Sequence, residues 1–212
     1  MLYKRKEVNQ KKFFFLFLAC LSLSVSSDSF KFNNYNNHGI VGLINTPTAR
    51  FFDEAVHGVT IYNSDEVQKI TLSSNPYNWL EASFFYMNLP NVRLCRAYPG
   101  ITPICEGYKD KGFNLKLRLK EEGIFPAVAI GLMDFAGTGR YSSEYIVTSY
   151  GIGKLDMHLG LGWGKLSGSS KQIKNPLSNL SSRFNERSGG YSGQGGSLNP
   201  GKYFPGPKAA PV

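Results

Sequence analysis

The stretch KLDMHLGLGWGKL, residues 154–166, decides the fold. Leu155, Met157, Leu159, Leu161 and Trp163 fall on one face, and Asp156, His158, Gly160, Gly162 and Gly164 on the other. A period of two sustained over this length belongs to a strand, since a helix repeats every 3.6 residues. GFNLKLRLK (112–120) repeats the pattern. Phe113, Leu115, Leu117 and Leu119 alternate with Asn114, Lys116, Arg118 and Lys120. Weaker runs of similar length occupy 39–44, 56–62, 67–73, 79–87, 126–133 and 143–150. Turn-forming clusters separate them: Asn63-Ser64-Asp65, Ser74-Asn75-Pro76, Lys109-Asp110-Lys111-Gly112 and Gly137-Thr138-Gly139.

Composition agrees with an all-β chain. Gly at 23 and Pro at 11 interrupt the 212 residues too often for a helical bundle. Aromatics at 14% are too many for a disordered chain. Three cysteines are too few for a disulfide-built miniprotein. The net charge is +9, but residues 1–27 hold Lys4, Arg5, Lys6, Lys11 and Lys12 against Glu7. That is +4 in the leader and +5 in the rest, so the basic balance does not imply nucleic acid.

The leader fixes the expected compartment. A basic segment, 1–12, precedes the apolar run FFFLFLACLSLSV (13–25), then Ser26, Ser27 and Asp28. This is the order of a secretory signal peptide, 1–27, cleaved near Ser27. The run is shorter than the roughly 18–20 residues of a spanning helix. Cys20 offers a lipoprotein alternative. Ala19 suits acylation there, but Phe17 and the continuing apolar run fit ordinary cleavage better.

Two architectures satisfy the pattern equally. In a soluble periplasmic β-sandwich that binds glycans, the apolar faces turn inward. In an antiparallel outer-membrane β-barrel they face lipid around a polar lumen. Residues 28–166 form the β domain in either case. Residues 167–212, rich in Gly, Ser and Pro, are expected as a flexible tail or long loop, with no closing strand at Ala210-Pro211-Val212.

Four blocks carry a family resemblance: GLINTPTAR (42–50), YKDKGFNLKLRL (108–119), PAVAIGLMDFAGTGRYSSEYIV (126–147) and LGLGWGKL (159–166). In this order they resemble the N-terminal part of the YjbH family. The resemblance implies an outer-membrane β-barrel protein linked to exopolysaccharide biosynthesis and export. Family members are several times longer. The resemblance therefore implies an N-terminal fragment of the pattern, in which roughly eight strands close a small barrel or form an arc of a larger one. The implied partners are outer-membrane lipid, an anionic polysaccharide and other export components. No enzymatic role is implied.

Cys95 and Cys105 flank RAYPGITPI and make a disulfide candidate in an exported chain. Lys116, Arg118 and Lys120 form a basic stripe on the polar face, lumen-facing if the sheet is a barrel. There it would attract an anionic glycan. Asp134 and Glu144 flank the AGTGR turn and are weak glycan-contact candidates. As a carboxylate pair they also admit a carbohydrate-active enzyme, although a capped turn and a solvated glutamate explain them more simply. LINTPTAR (43–50) reads as a structured plug or lead-in segment, with Pro47 holding Thr46 extended. His38, His57 and His158 show no ligand spacing, so no metal or other cofactor is expected.

Overall fold

The computed structural model describes residues 31, 33–98, 101–168, 172–187 and 203–212. The expected signal peptide and Cys20 lie outside these residues. Two short strands, β1 (Gly42–Leu43) and β2 (Thr46–Pro47), pair as a small hairpin. Seven strands then follow as an antiparallel meander: β3 (Val56–Asn63), β4 (Gln68–Tyr77), β5 (Leu80–Tyr98), β6 (Ile101–Lys120), β7 (Ala127–Met133), β8 (Ser143–Ile152) and β9 (Leu155–Gly164). Two more, β10 (Ile173–Lys174) and β11 (Lys208–Pro211), extend the sheet beyond β9. The order across the sheet is β10-β11-β9-β8-β7-β6-β5-β4-β3. No α-helix occurs among the described residues.

The all-β, antiparallel expectation holds, and barrel closure does not. Among the described residues β3 pairs only with β4, and the far edge is β10. Nor is this a sandwich, since the second sheet is only the two-residue pairing of β1 with β2. The physical reason lies on the inner face. A barrel of about eight strands has an interior just wide enough for its own side chains. Here residues 33–51 run through that space, and the sheet curls around them. Their contacts reach β3 through Tyr35 over Gly58, β4 through Gly39 and Ser73, and β5 through Val41 and Glu81. On the far side they reach β8 through Ala49 and Ser149 and β9 through Arg50 and Asp156. Gly58 leaves room for this ring, because a Cβ there would lie 2.4 Å from the Tyr35 hydroxyl oxygen and displace it.

The two faces differ sharply. Inward positions alternate with outward ones along every long strand, which is the pleat expressed as burial. Inward, Ile40, Ala49 and Phe51 pack with Ala127, Ala129, Met133, Tyr145 and Val147. A second cluster joins Phe85, Met87, Leu89 and Tyr108. Outward, apolar side chains face each other across neighbouring strands: Ile61 with Ile70, Leu72 with Phe84, Phe84 with Phe113, Leu115 with Leu132, Leu117 with Ile130, and Ile146 with Leu161. Many are open to the surroundings, with Ile61 79% and Leu159 67% exposed.

The segment after β9 corrects the expected structureless tail. Its described parts fold onto the rim of the sheet. Trp163 Nε1 donates to Asn175 Oδ1 at 2.9 Å, and the indole meets the Phe204 ring edge-on at 5.2 Å. Asn175 Nδ2 in turn serves the carbonyls of Phe184, Phe204 and Gly206. Lys208–Pro211 is a strand after all: Ala210 pairs with Gly162 and Pro211 with Leu161. Beyond it, Val212 and Gly160 exchange backbone hydrogen bonds.

Candidate functional site

The inner face is held by charge as well as by packing. Lys116 on β6 is 1% exposed and pairs with Glu81 on β5 at 2.5 Å. Its Nζ also donates to the Val41 carbonyl at 3.0 Å and the Arg50 carbonyl at 2.8 Å. Glu81 accepts from the Val41 N–H at 2.7 Å. The ion pair therefore grips both ends of the 41–50 motif. Arg50 forms a second clamp. Its Nε lies 3.0 Å and its Nη2 2.5 Å from the Asp156 carboxylate, and its Nη1 meets Glu122. Bidentate guanidinium–carboxylate pairs fix orientation as well as charge.

These contacts revise the expected basic stripe. Lys116 does point inward, but Glu81 neutralises it and the plug's carbonyls occupy its donors. Arg118 pairs with Glu121 at 2.8 Å and lies over the Phe51 ring, 4.6 Å from its centroid. Lys120 is exposed, its Nζ 4.2 Å from the centroid of the Phe125 ring. A register shift between Arg118 and Lys120 separates it from the other two. The three do not form an open basic surface.

Asp134 and Glu144 are not brought together. Asp134 follows β7 in a left-handed conformation, φ 52°, and turns inward beside Gly112 and Phe85. Its N–H donates to Asn114 Oδ1, and its Oδ2 accepts from the Tyr141 N–H. Burial, aided by the nearby Asp110 charge, raises the carboxyl to about 7 against two backbone hydrogen bonds that lower it. Glu144 lies on the outward face opposite Trp163, where Arg187 holds both its oxygens at 2.7 Å. One carboxylate fastens a loop and the other fastens the C-terminal segment, so they do not flank a common substrate position.

Cys95 and Cys105 are bonded, directly opposite each other on the β5–β6 ribbon. The Tyr108 hydroxyl, Thr138 and Asp110 tie the 134–142 loop to the base of that ribbon.

A cleft of about 520 Å³ remains between the inner face and the plug. Its walls include His38 and Asn45 from the plug, Tyr62 and Lys69 from β3 and β4, Phe85 from β5, and Tyr141 and Lys165 from the far rim. His38 is held neutral to about 4, by burial first and then by the charge of Lys69. Sequence reading missed Lys69, Glu81 and Arg50. Parity already placed Lys69 with Thr71 and Ser73, and Arg50 closes the LINTPTAR motif. The partners of Glu81 and Arg50 come from distant parts of the chain and leave no local signal.

Comparison with known proteins agrees with the four sequence blocks. A family profile described as "Exopolysaccharide biosynthesis protein YbjH" matches residues 34–210. The protein named "Uncharacterized lipoprotein YjbH" of Escherichia coli (strain K12) is 38% identical over 175 residues, which covers 81% of this chain and 24% of that protein. The chain thus spans about a quarter of that relative's length. No solved structure matches.

Proposed function

The chain belongs to the YjbH family of exopolysaccharide-biosynthesis proteins, and from that premise we propose that it serves exopolysaccharide production as a non-enzymatic, membrane-embedded sheet of the outer membrane. The observation that carries this reading is the inversion of the two faces. Charged residues and a plug lie inward, while apolar side chains form a band across β3–β9 on the outside. A soluble protein rarely exposes a contiguous apolar surface of such extent. A lipid-facing sheet requires one, with a band about 25 Å tall.

Details of the band support the same reading. On β6 the outward run Phe113–Leu119 spans roughly 19–20 Å at 3.2–3.4 Å per residue. Lys111 and Lys109 follow it on the same face. At the opposite rim, Tyr77 and Trp79 stack with centroids 5.4 Å apart, and Phe125 is exposed. Aromatic girdles occupy such rims in membrane barrels. Connections at that rim are the two-residue turns Asn78–Trp79 and Gly153–Lys154 and the six-residue 121–126, whereas the longer β5–β6 ribbon and the 134–142 loop leave the other. Short periplasmic turns and long external loops are the usual asymmetry.

The relative's description as a lipoprotein supports the Cys20 alternative for the leader. Acylation there would add a lipid anchor to a sheet that already faces lipid.

Cell fractionation tests the proposal. The chain is expected in the outer membrane, resisting extraction by high salt and by carbonate. Recovery as soluble periplasmic protein would sink it.

A further inference from the structure

Once Lys116, Arg118 and Lys120 are accounted for, the inner face still holds a cation of a different kind. Lys69 projects from β4 into the 520 Å³ cleft. Among the described residues it has no carboxylate partner. Its titratable neighbour His38 is neutral and cannot balance its charge. A second ammonium, Lys165, stands at the far wall with its Nζ 5.8 Å from the centroid of the Tyr141 ring. The lining also includes Tyr62, Phe85 and Tyr141, the amides of Asn45 and Asn114, and aliphatic side chains such as Met87 and Val212. The volume lies within the roughly 300–1,000 Å³ of small-molecule sites.

We infer that this cleft binds an acidic saccharide, with a sugar carboxylate on Lys69 and the apolar face of a pyranose ring against the aromatic walls. The inference rests on the exopolysaccharide reading above for the polymer, and it assigns the contact site and the ligand's charge. A partly desolvated, unpaired ammonium attracts a carboxylate far more strongly than a screened surface lysine does. The aromatic walls favour a ring with C–H faces over a plain anion. Asp134 also lines the cleft and opposes anions once ionised, so its raised pKa leaves the site more receptive below about pH 7.

The test is calorimetric titration of the purified full chain, in detergent at pH 6, with three probes. These are an oligogalacturonate tetramer, neutral maltotetraose and tetraglutamate. The tetrauronide is expected to bind with an affinity that falls as salt rises. The other two are expected to bind at least tenfold more weakly. Lys69→Gln is expected to lower tetrauronide affinity about tenfold, Lys69→Arg to retain it, and Lys120→Gln to leave it unchanged. Absence of tetrauronide binding would overturn the inference, as would equal binding of either comparison probe or indifference to Lys69→Gln. Because the titration uses purified protein, such a failure leaves the fractionation result standing, and a soluble periplasmic chain would fail fractionation first.

Discussion

Lys116 shows how a charge that looks functional in sequence becomes structural in the fold. Its place on the polar face of GFNLKLRLK follows from alternation alone. Its role does not, because Glu81 lies on the neighbouring strand and the two carbonyls come from the plug. A buried pair of this kind adds little net stability over a well-packed apolar pair, yet breaking it strands a charge. Lys116→Met is therefore expected to destabilise the chain by about 3–5 kcal/mol. Adding Glu81→Gln, which removes the stranded charge and keeps an acceptor for the Val41 N–H, should recover part of that loss. Denaturant unfolding of both variants in detergent checks this. A single-variant cost below about 1 kcal/mol would contradict the buried-pair account.

At the scale of elements, the β5–β6 ribbon is the least supported part of the sheet. β4 accompanies β5 only as far as Asn88, opposite Gln68, and β7 joins β6 only from Asn114. Between these points the two strands have no flanking strand among the described residues, only loop contacts such as Thr138 to Tyr108 and Asp110 at the base. Two-stranded ribbons are marginal by themselves, and here the Cys95–Cys105 bond ties the strands together. Closing a loop of this size contributes roughly 2–3 kcal/mol in the chain-entropy model. The Cys95→Ser, Cys105→Ser variant is expected to be nicked by protease within residues 90–107 much faster than the parent, while the remaining sheet keeps its thermal midpoint. Equal nicking rates would show that the bond does not hold the ribbon. The sequence reading found strands in the regions of β3–β9 but not their lengths, and its expected turn at Ser74-Asn75-Pro76 lies inside β4. It ended that strand at 87 and placed a turn at 109–112, whereas β5 runs on to Tyr98 and β6 begins at Ile101 across the Pro- and Gly-containing RAYPGITPI. On a ribbon with open edges, a proline's missing N–H removes no necessary bond. KAAP (208–211) was missed for a plainer reason: four residues without alternation carry no periodic signal.

At the scale of the whole molecule, the sheet is a wide antiparallel surface wrapped around an internal segment, with both edges open among the described residues. Its two-faced character was legible in the sequence, and which face turned outward was not. A sandwich and a membrane sheet share one alternation; the position of residues 33–51 against the charged face argues against the first and supports the proposed second. With the plug on the charged side, the C-terminal segment covers the apolar side only around Trp163 and Glu144 among the described residues, and Ile61, Leu72 and Leu159 stay exposed. LINTPTAR was legible as a structured plug or lead-in segment from Pro47 and its neighbours, but its anchoring residue, Arg50, had no local sign of Asp156 or Glu122.

The most direct test of the outward apolar face uses nitroxide labels in bilayer-reconstituted protein. Labels at Leu117, Ile130 and Leu159 should collide readily with membrane-dissolved oxygen and be shielded from an aqueous nickel chelate. A label at Lys154, in the β8–β9 turn, should show the reverse. Ready access of the nickel chelate to all three outward sites would contradict a lipid-facing sheet.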